Sequence, residues 1–130
     1  IFFISGSPDF LVKEMAEKYD VTEFRATKYL YDEDGKFTGE IVPMWHSEAK
    51  DKVCSEIIEK YNIDIDNSYA YGDTTGDLSM LKKFGNAYTI NPSKRLLEKI
   101  RNDEELSKKV NIIVERKDVI YKLKSDVITL

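Results

Sequence analysis

The sequence predicts an α/β domain built on a parallel sheet. Two observations predict it. Short apolar runs alternate along the chain with stretches whose apolar residues recur at helical spacing, and Gly, Pro, Asn and Asp punctuate the junctions between them. No internal repeat or low-complexity tract interrupts the alternation.

The elements follow in order. Residues 1–5 form a short apolar strand ending in Ser5-Gly6-Ser7-Pro8, with Ser7 as N-cap and Pro8 as first helical residue. The helix that follows runs to about Lys18 and sets Leu11, Met15 and Tyr19 on one face, with Val12 beside them. Residues 21–31 contain a strand. Asp32-Glu33-Asp34-Gly35 is a turn signal, so a hairpin joins roughly 26–31 to 36–42. Ser47 caps a second helix to Tyr61, whose stripe is Ala49, Val53, Ile57 and Tyr61, with Cys54 and Ile58 alongside. A strand over 68–71 ends at Gly72-Asp73. A helix from about Asp77 to Phe84 turns Leu78 and Leu81 inward and stops at Gly85. Residues 86–90 are a strand. Asn91-Pro92-Ser93 opens a helix with Leu96, Leu97 and Ile100 inward, and 110–114 is a last apolar run before an ambiguous tail.

Length and composition narrow the class. A chain of 130 residues is enough for one domain, 1–130. Its 20 basic and 24 acidic residues form no long basic run, which argues against nucleic acid as a partner. No apolar run is long enough to span a membrane. The lone Cys54 excludes an internal disulfide and fits a reducing, cytoplasmic compartment. One His and one Cys cannot build an ordinary zinc site, so any metal is a hard cation held by carboxylates. The chain opens on Ile1-Phe2-Phe3-Ile4, with neither Met nor a basic region. That run reads as a buried strand starting abruptly, and upstream sequence is expected.

Three constellations carry chemistry, all at strand ends or helix starts, where sites of parallel sheets lie. In Gly72-Asp73-Thr74-Thr75-Gly76-Asp77, two carboxylates straddle a strand-to-helix turn that can bring both to one magnesium ion. Asp77 falls on the inward side of its helix, and an unpaired buried carboxylate needs a metal or a cationic partner. The plainer alternative is a turn residue and a helix-start residue. At Ile4-Ser5-Gly6-Ser7-Pro8, a hydroxyl and a glycine meet a helix start, which suits an anion, while an ordinary cap explains the same residues. Lys50, in the first turn of the second helix, lies at the edge of the apolar face. It either neutralises phosphate charge or is a surface lysine with a buried stem. Trp45 and His46 read as packing or substrate-side loop residues, Cys54 as core, and Thr74 and Thr75 as phosphate contacts or turn formers.

Taken in order, Ser5-Gly6, then Lys50, then Asp73 with Asp77, these features resemble motifs II, III and IV of the haloacid dehalogenase superfamily. Phe3-Ile4-Ser5-Gly6-Ser7-Pro8-Asp9 resembles the second motif of its phosphoserine-phosphatase-like members. The segment Tyr71-Gly72-Asp73-Thr74-Thr75-Gly76-Asp77-Leu78-Ser79-Met80-Leu81 resembles their fourth motif, and Asp34-Gly35-Lys36-Phe37-Thr38-Gly39 their intervening hairpin. The resemblance covers about residues 1–100. It implies a three-layer Rossmann-like core and a magnesium-dependent phosphomonoester hydrolase. There, a nucleophilic aspartate forms an aspartyl-phosphate, and a second aspartate two residues later protonates the leaving group and then activates water. It implies that Asp73 and Asp77 ligate Mg2+, the latter directly or through water. Ser5 and the Gly6 amide would hold phosphate, and Lys50 would balance charge.

The family's first motif, Asp-x-Asp at the end of a central strand, has no counterpart here. Asp64-Ile65-Asp66 has the spelling but reads as a loop. The N-terminal central strand and the helical cap are expected to be missing. The chain alone is then inactive, with exposed strand edges, and an N-terminal fragment or second chain supplies Asp-x-Asp. The substrate would be a small phosphomonoester, phosphoserine-like or a lipid-headgroup phosphate. A non-catalytic phosphate- or metal-binding remnant acting as an interaction module is the alternative, and an unrelated α/β binding domain a third.

Overall fold

The computed structural model describes residues 1–128, which fall in two compact units, Ile1–Val53 and Cys54–Leu130, each with its own sheet. The first unit holds β1 (Phe2–Pro8), α1 (Asp9–Lys18), β2 (Glu23–Tyr31), β3 (Phe37–Val42) and the start of α2 (Ser47–Tyr61). Its sheet order is β1-β2-β3, with β1 parallel and β3 antiparallel to β2. The β2–β3 hairpin closes where the Asp32 carboxylate accepts the N–H groups of Asp34 and Lys36 at 3.0 and 2.8 Å. Gly35 supplies the positive φ of 76° that this turn needs.

The helix start differs from expectation. The strand runs on through Ser7 to Pro8, and Pro8, not Ser7, occupies the cap position. The buried face of α1 is Val12 and Ala16, while Leu11, Met15 and Tyr19 are exposed. The helix is thus turned by about one residue, roughly 100°. Small Ala16 permits a closer approach than Met15 would, and burying Val12 contributes about 1.5 kcal/mol or more. Leu11 and Met15 instead line a groove of about 290 Å³ along β1 with Phe3, Ser5 and Ser7.

The second unit takes the rest of α2, then β4 (Tyr69–Gly72), a 3-10 turn (Thr75–Asp77), α3 (Leu78–Lys83), β5 (Asn86–Ile90), α4 (Lys94–Arg101), α5 (Glu104–Lys109), β6 (Asn111–Arg116) and β7 (Val119–Leu123). Its order is β4-β5-β6-β7, parallel through β6 and antiparallel at β7. Alternation sorts the strands: Ala70, Ala87 and Ile112 are buried, while Tyr69, Tyr71 and Tyr88 share the other face with stacked rings. In α4, Leu96, Leu97 and Ile100 are buried as the spacing predicts, and Ser93 caps it through Leu96 N–H. The helix α5 was not expected, although Asp103 caps it, acidic residues open it and lysines close it.

The expected parallel sheet is therefore two sheets, each with an antiparallel strand. β1 and β4 are each the outer strand of their own sheet. α3 stops before Gly85, as expected, and the reason for glycine there is tertiary. A Cβ there would lie 1.9 Å from the Asp66 carbonyl oxygen, so close approach of backbone to backbone demands glycine.

Candidate active site

At the C-terminal end of β1, four residues advance against two on β2, between the pairs Ile4–Arg25 and Pro8–Thr27. Ser5-Gly6-Ser7 thus stand against Ala26 alone, a surplus of two residues and an irregularity of the kind that re-aims side chains at sites. Ser5 Oγ accepts the Ser7 N–H at 3.1 Å, which leaves the hydroxyl proton for another acceptor. The Gly6 carbonyl accepts Thr27 Oγ1 at 2.8 Å, and the same oxygen of Thr27 accepts the Met44 N–H at 3.1 Å. Thr27 is fully buried. It ties the Ser5-Gly6 turn to the loop before α2, a role that its place in an ordinary strand sequence did not signal. A Cβ on Gly6 would stand 3.0 Å from Trp45 Cβ, so that glycine permits the loop to lie against the turn.

Lys50 is 6% exposed and shares the buried face of α2 with Val53, Cys54 and Ile57. This places it at i, i+3, i+4 and i+7 with three apolar residues, which removes the surface-lysine alternative. Tyr61, expected on the same stripe, is exposed, because the stripe drifts off the packed side at the helix end.

In the second unit, β4 delivers Gly72 and then Asp73 at its C-terminal end. Asp73 is exposed, while Asp77 is only 4% exposed. Asp77 Oδ2 accepts the N–H groups of Asp73 and Thr74, both at 3.1 Å, and the Thr74 hydroxyl at 3.3 Å. The buried carboxylate thus shapes the loop that carries the exposed one. Gly72 is obligatory, since a Cβ there would be 2.4 Å from Asp77 Cβ. Asp64-Ile65-Asp66 is a loop, as expected. Asn67 donates to Asp64 through its side chain at 2.8 Å and its backbone at 3.1 Å, and these bonds hold the Asp64 carboxyl below the usual range.

The structure brings Ser5 and Gly6 together in the first unit, where Lys50 also lies, and Asp73 and Asp77 together in the second. Among the described residues, no three His, Cys, Asp or Glu side chains form a metal cluster. Two carboxylates still fit magnesium, which takes one or two and fills its octahedron with water and phosphate oxygens. No described helix is long and apolar enough to cross a membrane.

Residues 2–82 match the family model of haloacid dehalogenase-like hydrolases. This chain belongs to that family. It is 31% identical over 96 residues to a probable phosphatase of Mycobacterium tuberculosis, covering 74% of this chain and 33% of that protein. It is 24% identical over 102 residues to a kanosamine-6-phosphate phosphatase of Bacillus subtilis, covering 75% and 36%. Among solved structures, an apo phosphoserine phosphatase superposes with a TM-score of 0.67 at 25% identity, covering 90% of this chain and 54% of that one. A substrate-bound phosphoserine phosphatase does so with a TM-score of 0.66 at 28% identity, covering 75% and 47%. The chain spans about a third of the length of the curated relatives it matches.

Proposed function

We propose that residues 1–130 are one partial core domain of a magnesium-dependent phosphomonoester hydrolase. The observation that carries this reading is the Gly72–Asp77 turn, in which a buried carboxylate sets the backbone that presents an exposed one.

The Ser5 hydroxyl, with its oxygen already accepting from Ser7, donates its proton to a phosphate oxygen, and the Gly6 N–H donates beside it. The Lys50 ammonium offsets phosphate charge, and its burial makes that charge count for more than it would in water. Asp73 holds magnesium. Asp77 holds it directly or through water while capping its own turn. When bound, the metal draws negative charge from the phosphoryl group. The nucleophilic and proton-donating aspartates belong to an Asp-x-Asp segment outside these residues, in the same protein or a second chain. The substrate is a small phosphomonoester, and the compartment is cytoplasmic.

The test is phosphate release from p-nitrophenyl phosphate by the complete protein, with magnesium and after its removal by chelation. Metal-dependent turnover supports the reading. Metal-independent turnover, or none in a protein that carries Asp-x-Asp, sinks it.

A further inference from the structure

We propose that Trp45 is the platform for the substrate's leaving group, and that this group is a ring with a flat apolar face, of a sugar or an aryl phosphate. The inference rests on the reading of Ser5-Gly6 as the phosphate cradle.

Position is the first argument. Trp45 lies directly against Gly6, because a Cβ on that glycine would be 3.0 Å from Trp45 Cβ and 3.4 Å from its Cα. The placement is braced. The buried Thr27 hydroxyl bonds the Gly6 carbonyl and the Met44 N–H together, so the loop and the turn move as one. All of these residues belong to the first unit.

Orientation is the second. The indole N–H donates to His46 Nε2 at 2.9 Å, with ring centroids 5.8 Å apart and planes at 61°. That bond uses the only polar atom of the indole, so what the ring offers a ligand is its apolar face. Trp45 is 45% exposed, although a side chain of this size gains much by burial. A tryptophan held half out of the core beside a phosphate cradle is placed for stacking. Its two side-chain torsions are already restrained, so little entropy is lost on binding.

Chemistry is the third. An uncharged ring adds little to phosphate binding itself, so its effect falls on the group that the phosphate carries. A serine leaving group presents charged amino and carboxylate groups and no flat face. A sugar presents C–H faces and hydroxyls, and an aryl group presents a π-face. Because Nε2 of His46 accepts, the neutral imidazole carries its proton on Nδ1, a donor on the residue next to the platform. Stacking of a ring on an aromatic side chain amounts to a preference on the order of tenfold or more.

Trp45 is the only tryptophan of the 130 residues, and the part of an emission change that W45A removes reports on the platform. The experiment titrates the complete protein, its metal chelated so that no ester turns over, with inorganic phosphate, O-phosphoserine, glucose 6-phosphate and phenyl phosphate, by calorimetry and tryptophan fluorescence. At least one ring ester is expected to bind about tenfold tighter than inorganic phosphate or O-phosphoserine and to change the emission. In W45A the ratio of ring-ester to inorganic-phosphate affinity falls to about one, whereas W45F keeps most of it, with circular dichroism checking both folds. A gain for glucose 6-phosphate alone assigns a sugar, and a gain for phenyl phosphate alone assigns an aryl group. If inorganic phosphate binds and neither ring ester gains, or if the gain survives W45A, the platform is overturned while the cradle stands. If inorganic phosphate does not bind at all, the cradle reading fails and takes the platform with it.

Discussion

Asp77 Oδ2 accepts the main-chain N–H of Asp73 at 3.1 Å, so the buried carboxylate of this turn fixes the backbone from which the exposed carboxylate projects. The two acidic residues of one motif therefore have different duties. Gly72 comes just before both, and it is glycine because the space its Cβ would fill is occupied by Asp77.

Gly72→Ala puts a methyl 2.4 Å from Asp77 Cβ and 2.7 Å from its Cγ. Asp77 is buried and bonded at three donors, so the turn must distort. A loss of about 2 kcal/mol or more is expected from urea unfolding, at the upper part of the range for overpacking. An unchanged midpoint would show that the turn yields freely.

Asp73→Asn removes a negative charge from an exposed position. The fold should be retained, with an unaltered circular dichroism spectrum. Magnesium-dependent hydrolysis by the complete protein should fall by about 10²-fold or more. Unchanged turnover sinks the metal assignment.

Lys50→Met keeps a buried unbranched stem on the helix face of Val53, Cys54 and Ile57 and removes the ammonium. Turnover of the complete protein should drop by about 10²-fold with the melting temperature little changed. Lys50→Ala should cripple turnover as well, without unfolding the domain. Near-normal rates in both would leave Lys50 a packing residue.

Two buried threonines give opposite expectations. Thr27→Val strands the Gly6 carbonyl and the Met44 N–H, so a loss of about 1–3 kcal/mol is expected. Thr89 Oγ1 is buried with no hydrogen-bond partner among the described residues, so Thr89→Val should be neutral or stabilising by about 1 kcal/mol. Equal effects in parallel urea titrations would contradict the bonding pattern.

Acid should weaken the second unit through Asp103. The Lys82 side chain, at 2.5 Å, and the Leu106 N–H hold its carboxyl below the usual value of 3.8. A lowered folded value means that the contribution is fully present above pH 3.8. It is lost as pH falls through the lower folded value. Asp103→Asn should flatten the fall in urea midpoint over that acid range, and a variant with the same acid profile as the parent would refute the linkage.

Much of the fold was legible because local chemistry is written in local sequence. Asn86–Ile90 appears at the predicted bounds, and α4 buries the three residues its spacing selects. The hairpin follows from Asp32 and Gly35, whose roles are confined to their own turn. The inward place of Asp77 was legible from its spacing to Leu81. The helix α5 had visible capping and charge signals, but it is only six residues long and gives too little periodicity to stand out.

By itself, then, the sequence determined the order of elements, the two acidic residues of one turn, the Ser5-Gly6 turn and the family to which they belong. Only tertiary structure decided which stripe of α1 is packed, since Leu11 with Met15 and Val12 with Ala16 are equally periodic and the sheet selects between them. It also decided that Lys50 is buried, that Thr27 joins residues 21 positions before and 17 positions after it, and that Trp45 lies against Gly6. Those relations link residues far apart in the chain. Periodicity and turn chemistry act over a few residues, so only the folded backbone brings such groups together.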